Sequence, residues 1–178
     1  MSAYDIHAWV EFGVAVAGAA AVLTGLVFVS VSINLERVLQ VPGLPDRAGE
    51  SVLMFLAVLI YSLFLLVPGQ STTALGIELL VTGLIFAAVL LLVAALGFRR
   101  PTFQPLSWRI TRIVAALACS VPAVVAGVTL MAEAGGGLYW LFAAIVLAFL
   151  AGVGNAWVLL VEIVRDERYR PIRDTDDS

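Results

Sequence analysis

The residues able to do chemistry fall into two groups. Ser30, Asn34 and Arg37 recur at helical spacing, so one helix would carry them on a single face. Asn155 and Glu162, seven residues apart, would share a face of another helix. At similar depth, the five form an inner polar cluster of hydroxyl, amide, guanidinium and carboxylate groups. In apolar surroundings such groups either mark a functional site or tie helices together, at roughly 0.6 kcal/mol per hydrogen bond. The second group is acidic: Glu11, Glu78 and Glu133, with Asp5 close by and no base facing them. In an oligomer these acids would ring a pore mouth and attract cations. Alternatively, Glu11 and Glu78 stand at helix N-termini, where the macrodipole favours negative charge, and all three reach water.

Other chemistries are excluded. The chain has ten Arg and no Lys, which removes the Schiff-base lysine and the phosphate-cradling GxxxxGK[ST] loop. The single His7 stands near the N-terminus, as a tail residue or a pH-sensing partner of Glu11, and cannot supply bis-His haem ligation. The lone Cys119 has no partner for a disulfide or a metal site within one chain. CxxC, HExxH and GxSxG do not occur. No charge stands at mid-span, where proton-coupled pumps carry theirs. We therefore expect a non-enzymatic protein without cofactor, metal or nucleic-acid partner.

The elements that position these residues follow from composition. Of 178 residues, 62% are hydrophobic and 13% charged, against about 25% charged in soluble domains. Mean hydropathy is +1.05. The bilayer must be the main solvent. About 20 apolar residues in a helix cross a hydrocarbon core, and five stretches qualify, over residues 12–33, 51–67, 74–98, 113–132 and 138–164. The second is short until residues 46–51 extend it, with Arg47 snorkelling. Pro68-Gly69 ends it. The fold class is thus all-α, a single five-helix transmembrane domain over residues 1–164. Residues 165–178 form a charged, partly disordered tail.

The Arg positions orient this bundle. Arg37 and Arg47 lie between spans one and two. Arg99, Arg100, Arg109 and Arg112 lie between spans three and four, and the last four follow span five. The other connections have none. The positive-inside rule then puts the N-terminus outside and the C-terminus in the cytoplasm. Trp9, Tyr139 and Trp140 mark the outer boundary, and Phe98, Phe103 and Trp108 the inner one. The first residues lack the basic region of a signal peptide, so the first span is expected to be retained.

Packing in lipid depends on small residues that let helices approach. Gly13, Ala17, Ala21 and Gly25 form such a stripe in span one. Ala123 and Gly127 continue one in span four, and Ala148 and Gly152 one in span five. Span three has Gly76 and Gly83. Span two is bulky on most faces, which predicts a bundle of spans one, three, four and five with span two outside. Pro122 is expected to kink span four.

The run Gly18-Ala19-Ala20-Ala21-Val22-Leu23-Thr24-Gly25-Leu26-Val27-Phe28-Val29, continued by Ser30-Val31-Ser32-Ile33-Asn34-Leu35-Glu36-Arg37, resembles an uncharacterised family of small multi-span membrane proteins of actinobacteria and other bacteria. Val67-Pro68-Gly69-Gln70 does likewise. The likeness covers roughly the first 80 residues. The family has no assigned activity, so it implies a bacterial inner membrane and no mechanism. Two functional classes follow for the whole chain. One is an accessory or scaffold subunit that binds other membrane proteins through a small-residue helix face. The other is a homo-oligomeric channel or passive pore for cations or small solutes. Either implies the lipid bilayer as surroundings and a homo-oligomer or larger membrane complex.

Overall fold

The computed structural model describes residues 3–40, 43–98 and 106–169, and these residues contain helices and no strand. The elements are α1 (Val10–Ile33), α2 (Leu35–Gln40), α3 (Leu44–Phe64), α4 (Thr72–Phe98), α5 (Leu106–Met131) and α6 (Leu138–Tyr169), with a 3-10 turn at Ile6–Trp9 before α1. Five of them are long and apolar enough to cross a membrane, which is compatible with a multi-pass membrane protein. At 1.5 Å per residue, the 24 residues of α1 reach about 36 Å, past the roughly 30 Å of a hydrocarbon core.

The helix ends follow local chemistry. Gly43 adopts φ 88° before α3, Pro45 fits its first turn, and Asp46 stands where the helix dipole favours an acid. α3 therefore starts at Leu44, earlier than the apolar run alone indicates. It tapers through Leu66 N–H to Leu63 O and Val67 N–H to Phe64 O just before Pro68. α5 stays helical through Pro122. α6 continues through Arg165 to Tyr169, so the first residues assigned to the tail belong to the helix. Residues 170–178 lie outside the described residues, as do Arg99, Arg100 and Phe103; the side chains of Phe98, Trp108 and Arg109 do too.

Several hydroxyls within the long helices return to their own helix. Thr24 Oγ1 donates to Ala20 O at 2.8 Å, Ser62 Oγ to Val58 O at 2.8 Å and Thr129 Oγ1 to Val125 O at 2.8 Å. This satisfies polar groups where no water is available.

The expected position of span two is overturned. α3 is the central helix. Half of its membrane-length segment is buried, against 17% for α1, and it packs against α1, α4 and α6. Met54, Phe55, Val58, Tyr61 and Leu65 are all at most 1% exposed. The physical reason is complementarity. A small-residue stripe is a groove, and a bulky neighbour fills it best. A Cβ on Gly152 of α6 would meet the Phe55 ring at 2.6 Å, and one on Gly13 of α1 would meet Leu65 at 3.3 Å. α4 and α5 meet differently, backbone on backbone: a Cβ on Gly127 would stand 2.6 Å from Gly76 O.

Two apolar clusters result. The larger joins α3, α4, α5 and the first half of α6, with Val16 and Ala20 from α1. The smaller joins Val38, Leu44, Ala48 and Leu159 at the end of the bundle away from the N-terminus.

Candidate functional site

α3 and α5 both begin at the end of the bundle that carries α2. Six residues in from each start, Glu50 and Arg112 face one another. Arg112 Nε donates to Glu50 Oε1 at 2.7 Å, and a second guanidinium nitrogen contacts the same oxygen. Glu50 is 2% exposed and Arg112 6%. The local sequences produce this placement. Glu50 heads the buried ridge of Met54, Val58 and Tyr61 on α3, which Leu65 continues just past its end. Arg112 heads the ridge of Ala116, Cys119 and Ala123 on α5. Each charge is thus carried to the interior by the apolar residues one or more turns further on.

Charges buried in a membrane domain are costly and, by default, functional. Both ions lose hydration, and their attraction offsets that loss. Oε2 of Glu50 has no hydrogen-bond partner among the described residues, and neither do Tyr61 OH and Ser120 Oγ. Ser51, next to Glu50, donates to Arg47 O at 3.2 Å. The pair can fix the register of α3 against α5. Among the described residues, no group of three or more His, Cys, Asp or Glu side chains is placed to hold a metal ion.

At the opposite end, the N-terminal segment straps the bundle. Leu138 N–H donates to Ala3 O at 2.9 Å and Gly136 N–H to Tyr4 OH at 3.0 Å. Gly137 adopts φ 50°, and a Cβ there would run into the Ala3 carbonyl, so the strap requires glycine. Asp5 Oδ1 accepts from His7 N at 3.1 Å and caps the 3-10 turn. Trp9 meets Tyr139 edge-on, with centroids 5.3 Å apart, and Phe12 meets Phe142 at 5.8 Å. Two clefts open beside this strap. One, of about 290 Å³, lies among Trp9, Phe12, Tyr139 and Phe142. The other, of about 460 Å³, lies between the N-terminal segment and the turn from α3 to α4.

The residues singled out from sequence are distributed as follows. Asn34 Nδ2 donates to Ser30 O at 3.0 Å, closing the end of its own helix. Arg37 is exposed on α2. Asn155 is partly buried and makes no hydrogen bond among the described residues, and the side chain of Glu162 lies outside them. No hydrogen bond among the described residues joins Ser30 or Asn34 to Asn155. Glu11 and Glu133 are exposed, and Glu133 takes φ 49° just past α5. Glu78 accepts a hydrogen bond from Gln70 Nε2. Gly13, Ala123, Gly127, Ala148 and Gly152 are buried between helices, Ala17 partly so, and Ala21 and Gly25 are exposed.

The Glu50–Arg112 pair was missed. The spacing of Glu50 to Met54, Val58 and Tyr61 was the available signal, because it puts the acid on the ridge that the bulky residues bury.

No protein-family model matches the chain, no curated protein matches it, and no solved structure matches its fold.

Proposed function

We propose that the chain is a non-enzymatic accessory or scaffold subunit of a bacterial inner membrane, with its N-terminus outside and its C-terminus in the cytoplasm. It binds a partner membrane protein along α1. The observation that carries this reading is the inventory of small residues. Gly13, Gly76, Gly83, Gly127 and Gly152 are each closed by a neighbouring helix of the same chain, whereas a Cβ at Gly18 or Gly25 meets nothing within 4 Å. Gly18, Ala21 and Gly25 recur at three- and four-residue steps on exposed surface, and small residues at such spacing let a second helix approach closely. The ten Arg support the orientation, since all lie in or beside the connections assigned to one side. The resemblance of residues 18–37 and 67–70 to small bacterial membrane proteins supports the setting.

The test is the native mass of the protein extracted in mild detergent or lipid nanodiscs, with co-purifying chains identified. A one-to-one complex with a different membrane protein, released by Gly25→Leu and retained by Gly154→Leu on α6, is the expected result. Retention of the partner by Gly25→Leu rejects α1 as the interface. A closed ring of about four to six identical subunits would replace this reading with the pore.

A further inference from the structure

The larger cleft beside the N-terminal strap has the build of a ligand site. Its volume of about 460 Å³ falls within the roughly 300–1,000 Å³ of small-molecule pockets. Ile6, Val10, Leu66 and Pro68 give it apolar walls, and Asp5, His7 and Gln70 give it polar groups. Both walls are held in place. The strap is fixed at Ala3, Tyr4 and Asp5 by the hydrogen bonds above. The facing turn is fixed by Gln70 on Glu78.

Asp5, exposed at the rim, is the formally charged residue of the cleft's described lining, with the His7 imidazole beside it. Residues 1–36 and 48–98, which supply both walls, contain no Lys or Arg. Asp5 lines the cleft, and the Glu78 carboxylate stands behind Gln70. A low-dielectric wall focuses the field of such groups. An anion would meet repulsion from Asp5, and a purely apolar guest would gain nothing from this exposed carboxylate, whose Oδ1 accepts from His7 N. The complementary guest carries a hydrogen-bonding cation on a short hydrocarbon.

We propose that this cleft binds a small amphipathic organic cation, a primary ammonium on a short alkyl chain. The ammonium sits at Asp5, and the chain lies along Val10, Leu66 and Pro68. A free alkylamine and the ethanolamine headgroup of a phospholipid share this chemistry.

The probe is n-butylammonium, added to the full-length protein in dodecyl maltoside and followed by saturation-transfer NMR, with n-butanol as the uncharged control. Saturable binding of n-butylammonium, at least about tenfold tighter than n-butanol, is expected. Asp5→Asn keeps a side-chain oxygen for the turn and removes the charge, so affinity should fall about tenfold at unchanged thermal midpoint. Thr72→Trp, which fills the cleft, should abolish binding, and His7→Arg should weaken it. In nanodiscs, loss of n-butylammonium binding with phosphatidylethanolamine but not with phosphatidylglycerol identifies the lipid headgroup as occupant. Equal binding in both identifies a free amine. Equal affinity for n-butanol, an unchanged affinity in Asp5→Asn, or no saturable binding would overturn the proposal.

Discussion

Removing either member of the buried ion pair should destabilise the bundle far more than removing both. The two ions sit at 2% and 6% exposure with 2.7 Å between Arg112 Nε and Glu50 Oε1. At an effective permittivity of about 20, Coulomb attraction at that distance is about 6 kcal/mol. Desolvation costs several kcal/mol per ion, so the intact pair adds little net stability. Glu50→Leu leaves Arg112 buried without its counter-charge, and Arg112→Met does the same to Glu50. Each should cost about 3–5 kcal/mol. The double variant Glu50→Leu/Arg112→Met removes both ions at similar volume. It should lie near the wild type or above it by as much as about 4 kcal/mol.

Equilibrium unfolding in dodecyl maltoside with a rising mole fraction of dodecyl sulfate, followed by circular dichroism, measures all four proteins. The coupling energy of the cycle should exceed about 2 kcal/mol. It should change little with added salt, because a buried pair is weakly screened. Two single variants that each cost under about 1 kcal/mol and add in the double would refute this account. They would mean that water reaches the pair.

The packing makes further predictions. Gly127→Ala puts a Cβ 2.6 Å from Gly76 O, a backbone contact that cannot rotate away, so stability in the same assay should drop by about 1–3 kcal/mol. Gly152→Ala meets the Phe55 ring at 2.6 Å and should cost a similar amount, but Phe55→Leu should restore much of it, whereas no side-chain change should rescue Gly127→Ala. Gly18→Ala and Gly25→Ala meet nothing, and stability should stay level or rise by up to about 1 kcal/mol. Tyr4→Phe removes the acceptor of Gly136 N–H; it should cost about 1 kcal/mol and speed amide exchange at Gly136 and Leu138.

The five spans were legible because membrane insertion depends on local quantities, the length and apolarity of a single stretch. Even α3, interrupted by Asp46, Arg47 and Glu50, was found once its first turns were added to the apolar run. Its neighbours were not legible. In water a helix separates a wet face from a dry one, but here Leu63 at 49% exposure and Leu65 at 1% are equally apolar and look alike in sequence. Small residues disclosed where a neighbour can approach and not which one. Gly152 and Gly13 accommodate bulky residues of α3, while Gly76 and Gly127 accommodate each other. The ion pair was hidden for a related reason. Glu50 and Arg112 are 62 residues apart, and each stands where a charge reads as the edge of a span.

The central place of α3 links the two ends of the molecule. α1 leans on α3 through Gly13 and Leu65, α6 through Gly152 and Phe55, and α5 is tied to it by Arg112 and Glu50. On the proposed function, a partner drawn against Gly18 and Gly25 would push on α1 and through it on the helix that carries the buried acid. Any shift of α3 along its axis must stretch a hydrogen bond between two groups that are 2% and 6% exposed. Dispersion contacts of Phe55 and Tyr61 are lost over small displacements, and the hydrogen bond from Arg112 Nε to Glu50 Oε1 weakens as it is lengthened or bent. The pair can therefore fix one register of α3 against α5, and on the proposed function the face of α1 would be presented to a partner by a scaffold that resists sliding.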